Sequence, residues 1–146
     1  KCHASIVGRF ECDVTDHFEH FVRPQENMAH NGTKWVYVGN DNGNGLLCVN
    51  SCTTDSFSFN CSHYSPKQLT ECAHDYELTP LEETVVNIDY KQTGIGSESC
   101  GLSLDPKWYL DQKHIDLHVR FFAASQNEDA YEKTYFNNCR EGECKQ

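Results

Sequence analysis

The sequence predicts an all-β domain, an antiparallel sandwich with one short helix. Three observations carry that prediction. Short segments alternate apolar and polar residues, clusters of Gly, Asn, Asp and Pro separate them, and one helix-start signal interrupts the series. The 146 residues suit one domain rather than two. Phe, Tyr and Trp make up 12% of the chain, which offsets a formal net charge of −10 by offering large rings to bury.

Residues 6–14 (IVGRFECDV) alternate loosely and read as a strand. Phe18 to Val22 reads as a second, stopped by Pro24, which has no amide proton for a ladder. Trp35-Val36-Tyr37-Val38 is a third, and Leu46 to Val49 a fourth. The segment between them, GNDNGNG at 39–45, tolerates positive φ and makes the pair a hairpin. Phe57 to Cys61 alternates cleanly and makes a fifth strand. Ser65 then caps a helix that opens on Pro66, whose missing N–H is no loss in the first turn, and that ends near Cys72. Glu83 to Lys91 is β-branched and aromatic and reads as a buried strand, broken at Gly94-Ile95-Gly96. Trp108 to Leu110 is short and extended. Ile115, Leu117, Val119 and Phe121 alternate with Asp116, His118 and Arg120 as a half-buried strand. Beyond Phe122 the chain is polar and without a clear period, and reads as a poorly ordered tail, so the domain is placed at 1–122 and the tail at 123–146.

Composition excludes several functions. No apolar run is long enough to span a membrane, and no signal-peptide pattern opens the sequence. Twelve basic residues against 22 acidic ones would repel nucleic acid. Nine cysteines, at 2, 12, 48, 52, 61, 72, 100, 139 and 144, form no even, repeating framework. They read as free thiols packed as small hydrophobes in a reducing compartment. Cys48, Cys52, Cys61 and His63 can be drawn as a zinc set, but Cys61-x-His63 is tight for a second ligand pair. Cys139 and Cys144 are close enough in sequence to pair with each other. Asn31-Gly32-Thr33 and Asn60-Cys61-Ser62 match the glycosylation tripeptide, a pattern that arises by chance.

Candidate chemistry is sparse. Asn40-x-Asn42-x-Asn44-Gly45 resembles the start of a calcium loop, but Ser51 stands where a bidentate Glu is needed, so the hairpin turn is preferred. His17 and His20 would diverge on a strand and read as surface histidines. Glu82 and Glu83 are adjacent and would also diverge, so no carboxylate pair faces across a cleft. Neither a G-x-S-x-G elbow nor a Gly-rich phosphate loop with Lys is present.

Longer blocks carry a resemblance. Phe21-Val22-Arg23-Pro24-Gln25-Glu26-Asn27 resembles the "YVRPQENG" segment of β-galactosidases of glycoside hydrolase family 2. Phe57-Ser58-Phe59-Asn60, His63-Tyr64-Ser65, Gln68-Leu69 and His74 are similar to the family's "FSFN…YS…L…H" run. Asn87-Ile88-Asp89-Tyr90-Lys91-Gln92-Thr93-Gly94-Ile95-Gly96 is similar to "NIDYRQMGVGG", and Tyr109-Leu110 stands at the family's "Y-x-L" position. Lys1 to Phe10 resembles the stretch after the family's "GPxENYxDR" motif. The blocks follow in order from Gly8 to Phe122.

The resemblance implies the C-terminal part of the small-chain domain. In the family that domain is a β-supersandwich of the galactose mutarotase-like kind. It implies a non-catalytic role: docking on a catalytic (β/α)8 barrel, in the same or a companion chain, and completing the aglycone side of a pocket for terminal β-D-galactosides. Both catalytic glutamates and the Mg2+ site belong to that barrel, so no catalytic residue, cofactor or metal site is expected in this chain. The barrel contact falls on Arg23, Gln25, Glu26 and Asn27, and the pocket rim on Gly94, Gly96, Ser99 and Cys100. Cys100 stands where the family has a Trp, and a thiol lacks the flat face that stacks on a sugar. Trp108, beside Tyr109, reads as a packing residue rather than a substitute. A stand-alone carbohydrate-binding or interaction module is the alternative. Open sheet edges would favour self-association, and the family's habit points to the bacterial cytoplasm.

Overall fold

The computed structural model describes residues 6–51, 56–93, 101–125 and 128–141. Its elements are β1 (His30–Thr33), β2 (Trp35–Gly39), β3 (Asn44–Asn50), β4 (Phe57–Ser62), α1 (Pro66–Glu71), β5 (Val85–Asp89), β6 (Val119–Ser125) and α2 (Glu128–Glu141), with 3-10 turns at Asp75–Glu77 and Pro106–Trp108. The fold is all-β and antiparallel in class: two three-stranded sheets, ordered β1-β4-β5 and β2-β3-β6. The chain divides into two units, Lys1–Met28 with Asn60–Asn87, and Ala29–Phe59 with Ile88–Gln146.

The second of these units is built on the hairpin β2-β3. Trp35 faces Val49, Tyr37 faces Leu47 and Gly39 faces Gly45 across the ladder. The turn closes as its residue types require: Gly43 has φ of 74°, and the Asn40 side-chain oxygen accepts from the N–H groups of Asn42 and Asn44, each at 3.1 Å. That oxygen is therefore committed to the turn and not to a calcium ion. Gly45 is glycine for a steric reason, since a Cβ there would run into the Val38 carbonyl. β6 adds to β3 with Phe122 opposite Leu47 and Ala124 opposite Gly45. Directly opposed residues share a face, so Trp35, Tyr37, Leu47, Val49, Phe122 and Ala124 line one side. Helix α2 lies on it through Tyr131, and Leu47 (2% exposed), Val49 (0%) and Tyr131 (4%) form the core. In the same unit β1 pairs with β4 through a bulge, with His30 stacked on Phe59 at 5.1 Å and Ser58 Oγ donating to Asn31 Oδ1 at 2.6 Å.

Three expectations fail here. The last strand is not Ile115–Phe121: Ile115 and Leu117 are exposed, the strand starts at Val119, and Phe122 rather than Phe121 faces inward. The segment past Phe122 is not a structureless tail, because β6 runs to Ser125 and a 14-residue helix follows. Its aromatic Tyr131 and Tyr135 sit four apart, one helical turn, and meet the sheet on one side. Trp108 is no packing residue either; it closes a 3-10 turn and is 64% exposed.

In the first unit, residues 6–14 and 18–22 form no strand. A turn at 14–17 buries His17 (3% exposed), against its reading as a surface residue, with Nδ1 3.6 Å from Cys12 Sγ. α1 stands where expected. Ser65 Oγ accepts from the Gln68 N–H at 3.2 Å, Pro66 opens the helix, Leu69 is buried, and Cys72 caps the end.

Candidate functional site

The loop 18–27 owes its shape to one amide. Asn27 Oδ1 accepts from the Glu19 N–H at 3.0 Å, while Asn27 Nδ2 donates to the carbonyls of Glu19 at 2.9 Å and Gln25 at 3.1 Å. Pro24 is buried under this closure. Met28 then takes a left-handed φ of 56°, which turns the chain away. The effect is to present Arg23, Gln25 and Glu26 as exposed side chains on a fixed backbone. No ion pair joins Arg23 to Glu26 among the described residues, so each is open to a partner.

Beside the loop lies a small cleft lined by Phe18, Glu26, Asn27, Asn60, Tyr64 and Asn87, with Ser62, Pro66 and Leu69 beneath. Phe18 and Tyr64 pack ring to ring at 4.6 Å, and Asn87 Nδ2 donates to Asn60 Oδ1 at 2.7 Å. The Asn60–Asn87 bond ties the end of β4 to β5, and Tyr64 closes the far wall. His20 is held nearby by Asp75, Nδ1 to Oδ1 at 2.8 Å, with an edge-on contact to Phe18 at 5.2 Å. The site therefore offers a carboxylate, amides and aromatic faces. That set suits contact with polar partners. Glycoside hydrolysis requires two carboxyl groups facing each other, and Glu26 has no carboxylate opposite it among the residues lining this cleft.

Sequence reasoning named Arg23, Gln25, Glu26 and Asn27 but passed over Asn60, Tyr64 and Asn87 as site residues, although all three stand in the blocks that carry the family resemblance. Gly94, Gly96, Ser99 and Cys100 lie outside the described residues. Just before them, Thr93 Oγ1 donates to the Trp108 carbonyl at 2.8 Å. Trp108 presents its ring to solvent with Lys107 Nζ 5.5 Å from the ring centre. The Lys107 ammonium, 2.9 Å from Asp105, holds that carboxyl below its ordinary range.

Cys12, Cys48, Cys61 and Cys72 are free. Burial pushes the Cys48 and Cys61 thiols up to about 11, so both are protonated at neutral pH and poor nucleophiles or ligands. Among the described residues no three of His, Cys, Asp and Glu are grouped to hold a metal ion. Cys48, Cys61 and His63 are not grouped to hold zinc, and Cys52, the fourth member of the set drawn from the sequence, lies outside the described residues.

The sequence family described as Beta galactosidase small chain matches residues 1–121. The chain belongs to that family. The β-galactosidase of Staphylococcus xylosus is 42% identical over 114 residues, 78% of this chain and 11% of that protein. The β-galactosidase of Actinobacillus pleuropneumoniae is 36% identical over 121 residues, 83% of this chain and 11% of that protein. That of Streptococcus thermophilus is 31% identical over 98 residues, 67% of this chain and 9% of that protein. This small-chain domain thus spans about a tenth of the length of these relatives. No solved structure matches. Both the 18–27 loop and the cleft fall inside the matched region, whereas α2 begins beyond it. No helix among the described residues is long and apolar enough to cross a membrane.

Proposed function

We propose that this domain is a non-catalytic part of a β-galactosidase, docking on the catalytic barrel of the same or a companion chain. There it completes the aglycone side of the pocket for terminal β-D-galactosides. The observation that carries the reading is the 18–27 loop. It lies inside the family match, and its backbone is fixed by Asn27 while Arg23, Gln25 and Glu26 stand exposed. A preorganised loop of charged and amide side chains loses little entropy on docking. In this reading Gly94, Gly96, Ser99 and Cys100 border the sugar. The catalytic glutamates and the Mg2+ site are the barrel's.

The test is hydrolysis of a chromogenic β-galactoside by this chain, alone and mixed with a Staphylococcus xylosus β-galactosidase polypeptide lacking its matching segment. Activity only on mixing, lost with EDTA and restored by Mg2+, is the expected result. Activity of this chain alone overturns the non-catalytic assignment. In the reconstituted enzyme Cys100→Trp should lower KM for lactose; an unchanged KM removes Cys100 from the rim. A stand-alone carbohydrate-binding module is the second reading, favoured by the solvent-facing Trp108 and Tyr109. Inactivity in both arms, with galactosides quenching Trp fluorescence in this chain alone, would select it.

A further inference from the structure

The bonds from Asn27 reach residues 19 and 25 of the 18–27 loop and leave the stretch between them. That stretch is held from outside, by Asp75. The Asp75 N–H donates to the Val22 carbonyl at 3.2 Å, and Asp75 Oδ1 accepts from His20 Nδ1 at 2.8 Å. His20 and Asp75 stand 55 residues apart and lie in the same unit of the fold. One residue thus grips the loop by backbone and side chain together, just before the exposed Arg23.

The 3-10 turn that carries Asp75 is fixed by its own bonds. The Glu77 carboxylate accepts from the His74 N–H at 3.1 Å and the Ala73 N–H at 2.7 Å, and these amides hold it below its ordinary range. The His74 ring stacks on Tyr76 at 5.1 Å and lies 3.5 Å from Glu77 Oε1. On the loop side, His20 meets Phe18 and Tyr64 edge-on at 5.2 and 6.2 Å. The titratable groups around His20 are therefore Asp75, the mutually paired His74 and Glu77 of the same turn, Tyr64, and Glu19 beside it in the loop. An ionised carboxylate only accepts, so Asp75 places the hydrogen of a neutral imidazole on Nδ1. A second proton then enters at Nε2, and the bond to Asp75 becomes an ion pair, which is the stronger form.

We propose that His20 and Asp75 are positioning residues for docking, a clamp on residues 20–22 that tightens when the imidazole is protonated. The proposal rests on the docking role given above to the 18–27 loop. The His20 side chain is 54% exposed, and a bond so exposed is weak while uncharged. The clamped stretch is therefore released part of the time, and apparent affinity falls by the fraction of molecules in which it is in place. Histidines change charge between about pH 8 and 5. Lowering the pH through that range closes the clamp and strengthens association.

Two measurements test this, the first on the chain alone. Nitrogen-15 NMR of the histidine rings at pH 8, with His20 assigned by His20→Gln, should find its hydrogen on Nδ1. Asp75→Ala should move that hydrogen to Nε2, the form that a free imidazole prefers. A wild-type His20 already in the Nε2–H form overturns the clamp, whatever the docking result. Wild type, Asp75→Ala and Asp75→Asn are then titrated at pH 8 and pH 6 against the Staphylococcus xylosus polypeptide lacking its matching segment. Wild type should bind about twofold tighter at pH 6 than at pH 8. Asp75→Ala should bind about fivefold weaker than wild type at pH 8 and gain nothing at pH 6. Asp75→Asn still offers an acceptor to Nδ1 but no charge, so it should match wild type at pH 8 and lack the gain at pH 6. Equal affinity of wild type and Asp75→Ala leaves the docking role standing and overturns the positioning role. An Asp75→Asn chain that tightens with acid as wild type does overturns the proton-sensitive clamp. No association by wild type overturns both the docking role and this proposal.

Discussion

Cys48 and Cys61 show how burial decides the chemistry of a residue, with the nearby Cys12 adding to the effect at Cys61. Each thiol loses hydration on folding, which penalises the thiolate and pushes the group from its ordinary 9.0 up to about 11. The folded chain therefore holds these two protons over a pH range in which the unfolded chain releases them. The sign follows: their contribution to stability is complete below about pH 9 and is lost as pH rises toward 11. The urea midpoint should fall steadily between pH 8.5 and 10.5, and the double variant Cys48→Ala, Cys61→Ala should flatten that slope. An unchanged slope would place the titration elsewhere. Peptide mapping after maleimide labelling at pH 8 should find Cys72 modified well before Cys48 or Cys61. At the same scale, Asn27→Ala removes three hydrogen bonds from the 18–27 loop. It should cost about 1–2 kcal/mol in chemical unfolding, and it should weaken association with the galactosidase polypeptide if the loop is the contact.

The elements were legible where local chemistry is decisive. The hairpin β2-β3 was readable because positive-φ residues sit between two apolar runs, and α1 because Ser65-Pro66 is a start signal that works without tertiary help. β1 was not, since His30-Asn31-Gly32-Thr33 has no apolar period and is held by its pairing with β4. The stretches 6–14 and 18–22 carried strand-like alternation without forming strands; in the second, the Asn27 amide takes both the N–H and the carbonyl of Glu19 that a ladder would use. Of the candidate site, the exposed loop was named from its resemblance, while the cleft's Asn60–Asn87 bond joins residues 27 apart and has no local signal. β6 is the instructive failure. Phe121 and Phe122 are adjacent, so alternation fits either phase, and the choice is made by α2, which no period announced. The phase is testable. Phe122→Ala should cost about 3 kcal/mol, whereas Phe121→Ala, at a side chain 56% exposed, should stay within about 0.5 kcal/mol. Reversed values in urea unfolding would restore the sequence-based phase.

At the scale of the whole molecule two tendencies oppose each other. Large apolar side chains stand in solvent along much of the chain: Val7, Val22, Leu102, Trp108 and Phe121 are each more than half exposed. Monomers that expose much apolar surface tend to associate. The formal charge of −10 works against this by self-repulsion between copies. Repulsion between surface charges is screened beyond about 8 Å at physiological ionic strength, whereas apolar burial is not weakened by salt. The balance should therefore tip with added salt. Sedimentation velocity of the chain alone should show a mainly monomeric species at low NaCl and a concentration-dependent larger one at 0.5 M. Adding the galactosidase polypeptide should consume that larger species, because docking covers part of the same apolar surface. A chain that stays monomeric at high salt would mean its exposed side chains are too scattered to act as a patch. Self-association that weakens with salt would mean ion pairs, not apolar contacts, drive it.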